Sequence, residues 1–129
     1  MLVKNLEGAE LDYWVARAEG LEHPPYLGEM RPGRCMMPLD SHDHDGPIRH
    51  WVNYDPSENW NLAGPIIERE NIGFDWEADD ICIAWYQRSK YERAGSNQFS
   101  GSTPLKAAMR AFVASQYGEE VPEQPQVAK

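Results

Sequence analysis

Basic residues are scarce in this 129-residue chain. Twelve Lys and Arg face 21 Asp and Glu, for a net charge of -9. So negative a sum repels polyphosphate at long range and argues against binding duplex DNA or RNA. It still allows a small nucleotide held by two or three local arginines, and it suits a basic protein partner. Cysteine is scarce too: Cys35 and Cys82 stand alone, with no CxxC spacing. They read as reduced thiols packed as small hydrophobes. No apolar run approaches the roughly 20 residues that span a bilayer, so no membrane role is expected. The opening MLVKNLEGAELDY lacks the apolar stretch of a signal peptide, which predicts a cytoplasmic protein. GxSxG elbows, P-loops and dinucleotide fingerprints are missing as well, so neither an enzyme nor a cofactor is expected.

What is present organises into a small α+β domain. Residues 1–7 read as a short strand or ordered arm. Leu11, Trp14, Val15 and Ala18 then fall at i, i+3, i+4 and i+7, which predicts a helix with Asp12, Arg17 and Glu19 on its wet side. Gly20 suits its C-terminus. Residues 21–64 are punctuated by Pro24, Pro25, Gly28, Pro32, Gly33, Pro38, Gly46, Pro47 and Pro56, a density that forbids long helices. A few short strands fit within them, first of all 48–54, which alternates like a strand. Pro65 suits the first position of a short helix through Glu70, closed by Asn71 and Gly73. Residues 80–88 (DICIAWYQR) are β-prone, with Ile81, Ile83 and Trp85 on one face. Residues 94–101 (AGSNQFSG) read as loop.

The last helix is the plainest. Thr103 caps it, Pro104 takes the first position, and Leu105, Ala108, Met109, Phe112 and Val113 form a stripe up to Gly118. The expected architecture is one domain over 1–118 with an N-terminal helix, a short irregular antiparallel sheet and a C-terminal helix. A polar tail, 119–129, is expected to be mobile.

Three constellations bear on chemistry. The run Asp40-Ser41-His42-Asp43-His44-Asp45, with His50 beyond it, has the alternation of a transition-metal site. A solvated acidic loop explains it better, because no third and fourth ligands announce themselves, and no metal is expected. Aromatics are abundant: Trp51, Tyr54, Trp60, Trp76, Trp85, Tyr86 and Phe99 outnumber what a small core needs. Most close the core, as Trp14 and Ile83 do, but Trp60 lies between Asn59 and Asn61, where an exposed ring can stack on a planar ligand. Arg110 sits beside Met109 at the edge of the last helix's apolar stripe. Its guanidinium can fork onto a ligand phosphate, or onto an internal partner such as Glu68 or Asp80.

LEGAELDYWVARAEG near the start, YDPSENWNLAGPIIERENI in the middle and GSTPLKAAMRAFVASQYGEEV near the end resemble the NinX-type phage family. The resemblance spans nearly the whole chain in the same order. It implies a phage or prophage protein acting in the host bacterial cytosol. The sequence is also similar to the first class of Thoeris anti-defence proteins, which sequester cyclic ADP-ribose isomers, some also cyclic oligonucleotides, without cleaving them. That second resemblance implies a homodimer or larger homo-oligomer. It makes Arg110, Trp85 and Asn97 candidate ligand contacts, and Arg17, Arg69, Trp60 and Thr103 complete the expected site. Arg17, Arg69 and Arg110 lie one in each matched stretch, so convergence on one pocket is expected.

Two other readings stand beside the sponge. An acidic inhibitor would dock on a basic host or phage enzyme through the run from Glu68 to Asp80. A hydrolase or lyase of nucleotide signals would be metal-assisted through His42 and His44.

Overall fold

The helix written most plainly in the sequence becomes the innermost element. In the computed structural model, which describes residues 1–21, 35–86 and 97–122, α3 (Pro104–Tyr117) begins at Thr103. The Thr103 hydroxyl accepts the Lys106 N–H at 3.2 Å, and Pro104 follows the cap as the pattern predicts. Leu105 and every residue from 107 to 114 are buried, so the expected stripe widens to nearly the whole circumference, with Arg110 the one charged residue in it. The cause is that α3 packs between α1 (Gly8–Ala18) and a sheet. A helix covered on both sides has no wet face to keep polar.

Leu11, Trp14 and Val15 of α1 are buried as the spacing predicts, and Gly20, at φ +74°, follows the helix end. Asp12 departs from the pattern. It is buried, because its Oδ1 accepts the Ser57 N–H at 2.8 Å and so ties α1 to the turn at residues 56–58. The first residues form a 3-10 turn (Val3–Asn5) fastened to the far end of the chain. The Val3 N–H donates to the Glu119 carbonyl and the Val121 N–H to the Met1 carbonyl, both at 2.9 Å. Val121 is 3% exposed, so core packing continues past Gly118.

The proline-punctuated region holds more regular structure than its composition suggests. β1 (Met36–Asp43) and β2 (Gly46–Asn53) form an antiparallel hairpin with Asp40 opposite Arg49. β2 matches the alternation seen at 48–54, whereas β1 overturns the reading of the His/Asp run as a loop. At the hairpin's tip the Asp45 N–H bonds the Asp43 carboxylate at 2.8 Å, an Asx turn.

α2 (Trp60–Glu70) overturns two more expectations. Trp60 is the first helical residue and not part of a loop, and Pro65 sits inside the helix instead of opening it. The Asn59 side chain accepts the Asn61 N–H at 2.9 Å and sets the start. Burial of Ala63 and Ile66 outweighs the backbone bond that Pro65 cannot make. Asn71, left-handed at φ +54°, ends the helix where predicted.

β3 (Gly73–Ala78), β4 (Ile81–Trp85) and β5 (Gln98–Gly101) form an antiparallel sheet in that order. β5 corrects the loop reading of its four residues. They pair with β4 because Gly101 can approach α3: a Cβ there would stand 2.7 Å from the Ala107 nitrogen. Cys82 and Ala84 are the buried face of β4, while Ile81 is exposed and Ile83 and Trp85 are half-buried. The small side chains face α3, since only they let the sheet lie close to it. Cys35 and Cys82 are both buried free thiols.

The architecture is the expected small α+β domain, with a helix near each end. Among the described residues, no helix is long and apolar enough to cross a membrane. Residues 22–34, the end of the 80–88 run, residues 94–96 and the tail beyond 122 lie outside the described residues.

Candidate functional site

The structure does not bring the three arginines together. Arg110 is buried, with Nε donating to the Leu6 carbonyl at 2.8 Å and Nη1 to the Ser100 carbonyl at 2.7 Å. Its Nη2 lies 3.6 Å from the Glu7 carboxylate, and burial lowers its pKa while Glu7 raises it. Neither Glu68 nor Asp80 is among these partners. The guanidinium thus joins the N-terminal segment, α3 and β5. Arg69 is paired with Glu19 and Glu70 and lies 5.8 Å over the Phe112 ring. Its hydrogen bonds to Glu19, then Glu70, raise its pKa. Glu7 and Glu19 flank α1, roughly 18 Å apart at 1.5 Å per residue, so Arg110 and Arg69 are engaged at opposite ends of that helix. Arg17 is exposed, with Nη1 3.5 Å from the Tyr13 hydroxyl.

Two other candidates also do structural work. Trp85 lies over Gly73, where a Cβ would come within 2.5 Å of the indole, so that glycine makes room for the ring. Asn97 donates its side-chain amide to the Tyr86 carbonyl and accepts the Tyr86 N–H through its own carbonyl, closing the β4–β5 pair. In the hairpin, His42 stands opposite Pro47 and His44 lies 3.8 Å from Asp45 at the exposed tip. Among the described residues no three His, Cys, Asp or Glu converge as a metal site.

Trp60 and Thr103 do meet. They line a groove of about 310 Å³ together with Ser57, Glu58, Pro104, Leu105 and Lys106. The groove is built by the first turns of two helices, α2 and α3, each fixed by its own cap, Asn59 or Thr103. Both helices therefore point the positive ends of their dipoles at one place, which favours an anion. Lys106 adds a full positive charge, its Nζ 3.4 Å from the Ser102 hydroxyl. Among the described residues, Glu58 is the one opposing charge in the lining. The Trp60 indole is 51% exposed and is steadied by the Phe74 ring, 6.0 Å away at 53°. It offers a flat apolar face beside the cationic corner.

The floor of the groove connects to the interior. Ser57 is 1% exposed, and its hydroxyl lies beside the Asp12 carboxyl. Its N–H holds Asp12, whose carboxyl burial pushes up to about 7 against the opposing effect of that bond. Asp55 and Glu58 raise it further. Burial likewise pushes the Cys35 thiol and the Tyr54 hydroxyl up, with Asp12 adding to both. All three groups are therefore held toward their neutral forms beneath the turn that carries Ser57 and Glu58.

Lys106 and Ser57 were not foreseen. Lys106 lies three residues past the Thr103 cap, so a cap followed by a lysine in the first turn was the signal available for it. Nothing local marks Ser57, because its place depends on Asp12, 45 positions away.

The molecule is thus a small α+β domain with an anion-favouring groove at two helix ends. Residues 3–116 match the family described as bacteriophage P22, NinX, and the chain belongs to that family. It is therefore a phage-type protein, and the Thoeris resemblance gains no match of its own. No curated protein matches the chain.

Proposed function

We propose that this phage protein binds a small phosphorylated nucleotide in the α2–α3 groove and sequesters it without cleavage, so blunting a nucleotide-signalled bacterial defence. The observation that carries this reading is the convergence of two helix N-termini and Lys106 beside an exposed indole. A phosphate meets the positive corner, and the base stacks on Trp60. Stacking contributes about 1–3 kcal/mol per base, and a charge-assisted hydrogen bond about 1.5–3. The volume stands near the lower limit of small-molecule sites, which fits one base-and-phosphate unit better than a long oligonucleotide. Among the described residues, the lining contains neither histidine nor cysteine. That composition suits retention better than turnover.

Equilibrium dialysis against cyclic ADP-ribose isomers, ADP-ribose and cyclic dinucleotides tests the proposal, followed by heat denaturation and mass analysis of the released ligand. The expected result is retention of at least one nucleotide and its recovery with unchanged mass. Lys106→Ala and Trp60→Ala should each weaken retention about tenfold or more. Failure to retain any of these nucleotides refutes the proposal, and recovery of a cleaved product refutes the absence of turnover.

A further inference from the structure

β3 is the outer strand of its sheet. β4 pairs with one edge, and among the described residues nothing pairs with the other. Every residue from 74 to 81 is exposed. Such an edge offers unpaired backbone groups to any extended chain that matches it.

The two faces of this edge differ in chemistry. Phe74 and Trp76 stand opposite Ala84 and Cys82, and therefore on the side of the sheet that faces α3. They are nevertheless 38% and 52% exposed, since they lie out at the margin of the sheet. Asp75, opposite Ile83, belongs to the other face. Glu77, Asp79 and Asp80 follow it, with no lysine or arginine between residues 70 and 87. The Trp76 N–H donates to the Asp75 carboxylate at 2.8 Å, a local bond that an incoming carbonyl can replace.

The charge decides what kind of strand fits. A second copy of this chain, pairing β3 with β3 about a two-fold axis at Trp76, would set Asp75 opposite Glu77 at both ends of the pair. Like charges directly opposite destabilise a ladder, and each copy brings a net charge of -9. A strand that alternates lysine or arginine with apolar residues does the reverse. Its cations meet Asp75 and its neighbours, and its apolar side chains cover Phe74 and Trp76.

We propose that the open edge of β3 docks an extended basic segment of a protein partner by strand addition. This site is separate from nucleotide retention, although Trp60 touches Phe74 and so adjoins both.

The test uses the full chain, isotope-labelled, with three amidated peptides about eight residues long. One alternates lysine with valine, one alternates glutamate with valine, and one is the basic peptide with a central proline. The basic peptide is expected to bind and to shift the amide signals of Phe74, Asp75 and Trp76, with the other two binding at least tenfold more weakly. Raising salt from about 50 to about 300 mM should weaken binding about tenfold. The double variant Asp75→Lys, Glu77→Lys should prefer the acidic peptide while retaining nucleotide as the parent does. Absence of binding by the basic peptide overturns the proposal. Equal binding of the proline peptide overturns strand addition, and sedimentation showing self-association through β3 overturns the choice of partner.

Discussion

The core around α3 and the β1–β2 hairpin are held by different physics. Around α3, shape dominates: α1 lies on one side, the three-stranded sheet on the other, and Phe112, Met109 and Val113 are buried between them. The hairpin's strands pack chiefly on each other among the described elements, and their outer halves are exposed. There the Asp40–Arg49 pair, with two hydrogen bonds of 2.7 and 3.1 Å, and the Asx turn do what they can in water. Two strands alone are marginally stable in water. The hairpin therefore depends on its base, where Cys35 and Met36 are buried and the Tyr54 N–H bonds the Cys35 carbonyl. Sequence can move freely at the hairpin tip and hardly at all in α3.

Four substitutions sharpen that contrast. Phe112→Ala should cost the most, about 3–5 kcal/mol in urea unfolding, because it opens a cavity at a fully buried site. A loss under 1 kcal/mol would mean the core can collapse around α3 and is less rigid than its burial suggests. Arg110→Ala should follow at about 2–4 kcal/mol, since it leaves the Leu6 and Ser100 carbonyls without their donors. Nucleotide retention, measured under conditions where this variant stays folded, should be unchanged. Loss of retention by a folded Arg110→Ala would return that arginine to the binding site.

Asp12 joins the core to the groove, and its effect depends on pH. Burial raises its folded value from 3.8 to about 7, so the native state keeps a proton that the unfolded chain releases. Stability from this group is therefore complete below about pH 4, declines as pH rises, and is lost above about 7. The shift of about 3 units, in which the opposing pull of Ser57 is already counted, corresponds to roughly 4 kcal/mol, and an amide at this position gives back roughly 1–3 kcal/mol through an NH2 group that lacks a full set of acceptors. Asp12→Asn should thus gain about 1–2 kcal/mol at pH 8 and flatten the pH profile between 4 and 7. Thermal melts across that range check it, and an unaltered profile would show that Asp12 is ionised in the fold. The smallest effect belongs to the hairpin. Asp40→Asn breaks an exposed ion pair and should change stability by no more than about 0.5 kcal/mol, becoming undetectable in high salt.

The parts of this fold that were legible are those whose cause is local. The α1 spacing, Gly20, Asn71 and the Thr103-Pro104 start of α3 each report a preference of the chain near that residue. The parts that were not legible have distant causes. β5 forms because β4 recruits it and Gly101 admits α3, not because its own four residues favour a strand. α2 starts before Pro65 because Asn59 caps it and Ala63 packs. The site divides the same way. Trp60 and Thr103 could be named from an exposed ring between asparagines and from a cap. The expected meeting of Arg17, Arg69 and Arg110 failed, because the partner a guanidinium finds is decided by the tertiary fold. Arg110 finds backbone carbonyls supplied from residues 6 and 100, and no spacing rule foretells that.

Among the described elements, the innermost helix is also the last to be made. α1 and β4 both rest on α3, yet α3 leaves the ribosome after every other described helix and strand. Until it emerges, the nascent chain carries apolar faces that have nothing to close upon, and closure then arrives as one late step joining segments far apart in the sequence. A ribosome stalled before residue 104 should therefore hold a chain readily cut by protease, and one stalled well beyond Tyr117 a chain that resists.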